Sequence, residues 1–255
     1  MAMQSLRSQP ISLSITDGYL RYYVSEQVTL SALNMHIPAQ SWTCLLGKSG
    51  CGKSSLLRHI AGLLDNTAHW KGELTTAPEC QLENEVAYMA QQDLLMPWLS
   101  VLDNVLLSSR FLKKSHMDQK KRALSLLDSV GLAQQEAVFP QQLSGGMRQR
   151  VALARTLMQD KSIVLMDEPF SSLDAVTRYR LQNLAIRLLK DKTVLLITHD
   201  PQEAIRLADK LYIMQGRPAL VTSLEVPNSR TPRAFDTQCA ALQQQIMTCL
   251  ENDHE

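Results

Sequence analysis

Eight consecutive residues concentrate the strongest chemistry in the chain: Gly47-Lys48-Ser49-Gly50-Cys51-Gly52-Lys53-Ser54 fit the pattern G-x-x-x-x-G-K-[ST]. Glycines at this spacing let successive backbone N–H groups close around phosphate oxygens, and a helix starting at the end of the loop adds the favourable end of its dipole. Lys53 brings an ammonium to the β- and γ-phosphates, and the Ser54 hydroxyl is suited to ligate Mg2+. A second element, Ile163-Val164-Leu165-Met166-Asp167-Glu168, delivers two carboxylates at the end of an apolar run. In open α/β sheets ligands bind at the carboxyl ends of strands. Asp167 is placed to hold Mg2+ through water, and Glu168 to orient or deprotonate an attacking water. Loop and carboxylates together describe phosphoryl transfer to water.

The flanking segments supply the elements that such a site needs. Trp42 to Leu46 is a short, nearly continuous apolar run ending at glycine, as a buried parallel strand does. Ser54 to Leu64 carries Leu56, Leu57, Ile60, Leu63 and Leu64 at helical spacing. The order is therefore strand, glycine loop, helix. Upstream, Ile11 to Tyr23 and Val28 to Ile37 alternate as half-buried strands of an antiparallel edge. Asp65 to Glu85 is polar, Val86 to Met89 reads as a short strand, and helical patterns follow. Among these, Asp118 is placed to cap a helix with Ala123, Leu124, Leu127 and Val130 on one face, closed by Gly131. Ile163 to Met166 and Val194 to Ile197 are further buried strands, separated by the helical pattern of Ala175 to Lys190. Beyond Gly216 the prolines 218, 227 and 232 break the pattern before a terminal helix around Ala240 to Leu250.

With 255 residues the chain can bury one large α/β core. Its 26 basic and 25 acidic residues leave a formal charge of +1 and no bulk electrostatic argument for a nucleic-acid partner. Five cysteines, Cys44, Cys51, Cys80, Cys239 and Cys249, follow neither metal spacing nor a disulfide framework and fit a reducing, cytosolic compartment. Met1 to Pro10 is polar and lacks the apolar stretch of a signal peptide, and no run approaches the roughly 18 apolar residues of a membrane helix. Membrane association is thus expected through a partner.

A third element, Leu143-Ser144-Gly145-Gly146-Met147-Arg148-Gln149-Arg150, runs into Val151, Ala154, Leu157 and Met158 at helical spacing. Leu-Ser-Gly-Gly before a helix, roughly twenty residues ahead of the Asp167–Glu168 strand, resembles the signature of ATP-binding cassette (ABC) ATPases. The resemblance spans about Ile11 to Gly216. It implies a P-loop NTPase with a mainly parallel core sheet, an N-terminal antiparallel β-subdomain and an inserted α-helical subdomain. On that basis a single domain covers 1–255, with a RecA-like core at about 1–90 and 160–216, the helical subdomain at about 91–159 and a C-terminal extension at about 217–255. Gln91 matches the Q-loop glutamine that senses Mg2+ and γ-phosphate, Asp174 the D-loop in Ser172-Leu173-Asp174, and His199 the switch histidine in Thr198-His199-Asp200. The implied catalytic set is Glu168, His199 and Gln91. Metal ligands are Ser54, Gln91 and Asp167, and nucleotide contacts run from Gly47 through Ser54 to Ser55. Tyr23, with Tyr22 the near alternative, stands where an aromatic stacks on adenine. Lys48 and Ser55 replace a frequent proline and threonine without removing a phosphate or metal ligand.

In this family the signature loop of one subunit completes the nucleotide site of another, so Ser144, Gly145 and Gly146 would face the γ-phosphate on a partner's loop. One set of motifs therefore implies a head-to-tail homodimer closed around two ATP. The run Gln91-Gln92-Asp93-Leu94-Leu95-Met96-Pro97-Trp98, with Ser100 to Val105 and Asp167 to Arg178, is similar to bacterial importers of nitrate, sulfonate, taurine and a hydroxymethylpyrimidine thiamine precursor. It implies transmembrane permease subunits docked near Leu94 to Trp98, a periplasmic or surface solute-binding protein, and a peripheral location on the cytoplasmic face of the inner membrane. The alternative is an ABC ATPase serving an exporter or a non-transport role. A ribosome-acting relative usually carries two cassettes. A chromosome-structure relative places long heptads between Gln91 and Ser144, where roughly fifty residues stand here. A small-molecule kinase leaves Leu143 to Gly146 and His199 unexplained.

Overall fold

The protein is described by a computed structural model that covers residues 10–111 and 116–252. The expectation about Met1 to Pro10 therefore falls almost wholly outside the described residues. Strand β1 (Ser12–Tyr22) pairs antiparallel with β2 (Leu30–Ile37), Leu13 opposite Ile37 and Leu20 opposite Leu30. β3 (Trp42–Gly47) is buried at every position and leads through the glycine loop into α1 (Lys53–Ile60). β4 (Ala68–Ala77) then pairs along the other edge of β1, giving a three-stranded sheet in the order β2-β1-β4. This strand occupies the segment read as merely polar. Only Ala68 of its ten residues is buried, so a solvated outer strand carries no apolar alternation to announce it.

After α2 (Leu82–Glu85) and β5 (Val86–Met89) the chain enters its helical region: α3 (Val101–Val105), a tight turn at Leu107–Phe111, α4 (His116–Ser129), a second turn at Pro140–Gln142, and α5 (Gly145–Met158). Asp118 lies inside the first turn of α4 rather than at its cap, where its carboxylate still favours the helix dipole. Gly131 closes α4 as expected, with φ +70° and a Leu132 N–H donating to Leu127 O at 2.8 Å. The chain returns through β6 (Ile163–Asp167), α6 (Ala175–Leu188), β7 (Thr193–Ile197), α7 (Pro201–Leu207), β8 (Lys210–Gln215), β9 (Leu220–Leu224) and α8 (Thr237–Glu251).

The second sheet has six strands in the order β5-β6-β7-β3-β8-β9, parallel except for β9. This is the mixed α/β architecture of P-loop NTPases. Residues after Gly216 thus contribute a strand as well as the terminal helix. Alternate side chains of the central strands serve two cores. Leu45, Leu165, Leu195 and Ile197 pack with α1 and the three-stranded sheet. Cys44, Leu46, Val164, Met166, Val194 and Leu196 pack with the helices. Fully burying each such Leu, Ile or Val contributes about 1.5–3 kcal/mol, so the strand ends that carry the chemical residues are anchored on both faces. Among the described residues, no helix is long and apolar enough to cross a membrane. All five cysteines are free thiols.

Candidate functional site

The glycine loop leaves the carboxyl end of β3 because the chain must pass tightly beneath β8 there. A Cβ on Gly47 would press into the Met214 backbone oxygen and lie 3.0 Å from Cys51 Sγ. Gly50 and Gly52 hold φ of +82° and +106°, a left-handed conformation that glycine adopts without penalty. Lys53, 6% exposed, donates from Nζ to the Gly47 and Lys48 carbonyl oxygens, both at 2.7 Å. The ammonium thus holds the two sides of the loop together from within. Ser55 accepts a hydrogen bond from the Tyr22 hydroxyl at 2.8 Å, which fixes the end of β1 to the start of α1.

Asp167 ends β6 and is 2% exposed. Burial pushes its carboxyl pKa up, with the neighbouring Glu168 charge adding to the effect, while a Ser54 hydrogen bond, Arg58 and Lys53 oppose it. A buried carboxylate beside a hydroxyl is a hard oxygen pair, and that donor set suits Mg2+. Glu168 follows with φ +49°, uncommon for a non-glycine residue and costing on the order of 1–3 kcal/mol. Its N–H donates to Ile197 O at 2.9 Å, tying this turn to the end of β7.

The strained turn aims Glu168 at two other residues singled out from the sequence. Gln91 Nε2 donates to Glu168 Oε2 at 3.3 Å, and His199 Nδ1 lies 3.0 Å from the same oxygen. Gln91 comes from the end of β5, Glu168 from β6 and His199 from β7, which are neighbours in the sheet. Thus three residues far apart in sequence meet at one carboxylate oxygen. Such a group can receive a proton from a water and pass it on, with the glutamine and imidazole fixing its direction.

The remaining residues occupy helix starts. Ser144 caps α5, accepting from Met147 N at 3.3 Å. Gly146 lies close against the Ser172–Leu173 turn, where an added Cβ would be 3.3 Å from Leu173 Cδ2. Ser144 and Gly145 are exposed. Asp174 caps α6, and the Thr177 N–H holds its carboxyl below the usual range. The exposed start of α5, with N–H groups and a hydroxyl, can receive an anion from outside the chain. Tyr23 is 61% exposed, whereas Tyr22 is packed against the core and engaged by Ser55.

Several participants had no role assigned from the sequence. Arg178 joins the turn at Leu173, by a bond to its carbonyl at 3.1 Å, to Asp200 beside the histidine at 3.3 Å. Arg217 and Pro218, from the β8–β9 turn, line a cavity of about 580 Å3 with Ser25, Val28, Gly50 and Cys51. Arg148 pairs with Asp93 at 2.9 Å, and Arg155 donates to the Asp93 and Leu94 carbonyls. These arginines fasten the segment after Gln91 to α5. On it Leu94 and Trp98 are exposed, Trp98 by 71%. No local sequence pattern announces these ties.

Comparison with known proteins converges with this geometry. Residues 30–171 match the ABC transporter family profile. An ABC transporter ATP-binding protein of Haemophilus influenzae is 40% identical over 225 residues, 87% of this chain and 92% of that protein. The aliphatic sulfonates import ATP-binding protein of Escherichia coli K12 is 39% identical over 230 residues, 88% of this chain and 86% of that protein. Among solved structures, a dimeric post-hydrolysis state of an ATP-binding cassette bound to ADP and Pi matches with a TM-score of 0.73 and 27% identity. That match covers 85% of this chain and 100% of the other.

Proposed function

The chain belongs to the ABC transporter family and is an ATP-binding, ATP-hydrolysing cassette, and from that premise we propose that it energises import of a small organic anion of the aliphatic sulfonate class. The observation that carries the catalytic part is the meeting of Gln91 and His199 on Glu168 Oε2. Glu168 takes the proton of the attacking water, and Gln91 and His199 keep its carboxylate aimed at that water. The backbone of Gly47 to Gly52 and the Lys53 ammonium hold the β- and γ-phosphates. Ser55 closes the run of nucleotide contacts, and Tyr23, 61% exposed, stacks on the adenine. Ser54 and Asp167, with Gln91, would hold Mg2+, which when bound neutralises phosphate charge during transfer.

The other half of each site comes from a second copy. The outward-facing start of α5, with Ser144, Gly145 and Gly146, suits the γ-phosphate on the partner's loop, and Asp174 follows the turn against which Gly146 packs. A dimeric cassette among the solved relatives supports the same assembly. ATP then acts as the ligand that favours the closed dimer. Leu94 and Trp98 form an exposed apolar patch on the segment that begins at Gln91, fitted to a helix of a membrane permease. Because Arg148 and Arg155 tie that segment to α5, a push on the patch is passed to the signature end. The protein would sit on the cytoplasmic face of the inner membrane through the permease, with a solute-binding protein delivering cargo from outside.

The sulfonate assignment rests on the curated relatives. It is tested by rebuilding the chain with its neighbouring permease and binding protein in vesicles and measuring ATP-dependent accumulation of ethanesulfonate against nitrate, taurine and hydroxymethylpyrimidine. Accumulation of ethanesulfonate supports the class. Uptake of nitrate or hydroxymethylpyrimidine alone would reject it while leaving the ATPase assignment intact, whereas taurine, itself an aminoalkyl sulfonate, falls within the class.

A further inference from the structure

Helix α7 starts two residues after the switch histidine and is only seven residues long. Helices this short are not stable alone in water, so its position is set by whatever holds its ends and sides. At the start, Asp200 accepts from Gln202 N and Glu203 N at 2.9 and 3.3 Å. On one side, buried Glu203 accepts from Gln182 at 2.8 Å, and Arg206 donates to Gln182 and Asn183. The far end is held by a residue outside every motif. Arg233 is 6% exposed, its Nε donates to Pro227 O at 3.0 Å, and its Nη1 donates to Ile205 O at 3.1 Å and also to Ala208 O. Its backbone N–H donates to Arg206 O at 2.8 Å.

One guanidinium thus collects the last carbonyls of α7, where a cation is favoured by the helix dipole, and ties them to the C-terminal segment. That segment is itself anchored. Thr231 Oγ1 donates to Asp209 Oδ1 at 3.3 Å. Asp236 caps α8, whose Cys239, Leu242 and Ile246 join the helical-side core. Burying a charged guanidinium is costly unless its donors are satisfied, so the residue holds the strap firmly or not at all.

Building on the ATPase reading, we propose that Arg233 is a positioning residue for hydrolysis: by clamping the end of α7 to the C-terminal strap it fixes the orientation of His199 toward Glu168. Its bonds go to the carbonyls of Pro227, Ile205, Arg206 and Ala208, outside the phosphate loop and the Glu168 cluster. It acts through a helix whose first residue adjoins the Thr198-His199-Asp200 turn, while β7 on the other side of that turn is locked in the sheet.

The test uses the full chain with Arg233→Met, which keeps side-chain volume and loses the donors, and Arg233→Lys, which keeps the charge and part of the bonding. Leu13→Ala, buried in the other core and remote from α7, serves as a stability control. Arg233→Met should lower kcat for ATP roughly ten- to hundredfold, the scale for a misplaced catalytic group, with KM for ATP changed by less than about threefold because the phosphate loop is untouched. Arg233→Lys should recover part of kcat. The His199 ring 13C–1H resonance, assigned by its loss in His199→Gln, should move in Arg233→Met and stay in place in Leu13→Ala. If Arg233→Met does not fold, Arg233→Lys carries the comparison. Turnover by both Arg233 variants equal to the control at matched stability, or an unmoved His199 resonance, would overturn the proposal alone. A wild-type chain with no ATP turnover would overturn the ATPase reading and this inference together.

Discussion

Replacing Gly47 by alanine adds a single methyl group at the junction of β3 and the phosphate loop. That methyl would press into the Met214 carbonyl oxygen, which belongs to β8 paired alongside, and lie 3.0 Å from Cys51 Sγ. Relief requires the loop or β8 to yield by on the order of 1 Å, since a carbon and a carbonyl oxygen need a normal contact distance. Overpacking of this kind costs about 1–3 kcal/mol, or roughly 3–10 °C in Tm for a chain of this size. The functional cost is separate. Lys53 Nζ is bonded to Gly47 O at 2.7 Å, so the same displacement misaligns the ammonium and the loop N–H groups. Loss of one charge-assisted bond is worth about 1.5–3 kcal/mol, a ten- to hundredfold weakening of ATP binding. Gly62→Ala is the matched control. It forces alanine to φ +70° at about 1–2 kcal/mol in open space, 3.8 Å from Glu83 Cγ, away from the loop. Differential scanning fluorimetry and calorimetric titration with ATP should show both variants destabilised and only Gly47→Ala impaired in binding. A Gly47→Ala protein that melts within a degree of wild type and binds ATP equally well would refute the steric argument.

Glu168→Gln should keep ATP binding and lose at least about a hundredfold in turnover, accumulating closed dimer measurable by light scattering; undiminished hydrolysis would contradict the role of Glu168. Tyr23→Ala should weaken ATP binding, whereas Tyr22→Phe, which removes the bond to Ser55, should cost about 1 kcal/mol of stability and leave ATP affinity near wild type; the reverse pattern in paired titrations and melts would exchange the two tyrosines. The Cys239 N–H holds the Asp236 carboxyl pKa below its ordinary value. A lowered folded pKa contributes stability present above the unfolded value of about 3.8 and lost as pH falls through the folded value. The Tm gap between wild type and Asp236→Ala should therefore be full at pH 6 and close on acidification below about pH 4; a gap that widens there would reverse the assignment.

How far the fold could be read depended on which surfaces the strands present. β3, β6 and β7 are buried on both faces, so Trp42 to Leu46, Ile163 to Met166 and Val194 to Ile197 stand out as apolar runs. β4 faces water along most of its length and left no such trace. β8 has an apolar centre of Leu211 to Met214, yet it follows α7 after only two intervening residues, and short apolar runs cannot separate helix from strand by periodicity. β9 is a short edge strand with no buried position, and its pairing partner alone defines it.

The site was legible in its residues and illegible in its joints. Gln91, Glu168 and His199 could be picked out one by one, but that they share a single carboxylate oxygen follows from β5, β6 and β7 lying side by side, a long-range order no local pattern encodes. The two tyrosines make the point at the smallest scale. Tyr22 and Tyr23 are adjacent in sequence, yet β1 ends between them: Tyr22 is its last residue and Tyr23 opens the turn that follows. The bond from Tyr22 to Ser55 holds one ring at the junction of β1 and α1, while the other is exposed. A partner thirty-three positions away thus distinguishes two rings that stand side by side in the sequence, just as Arg233, far beyond the last motif, gathers carbonyls at the end of α7.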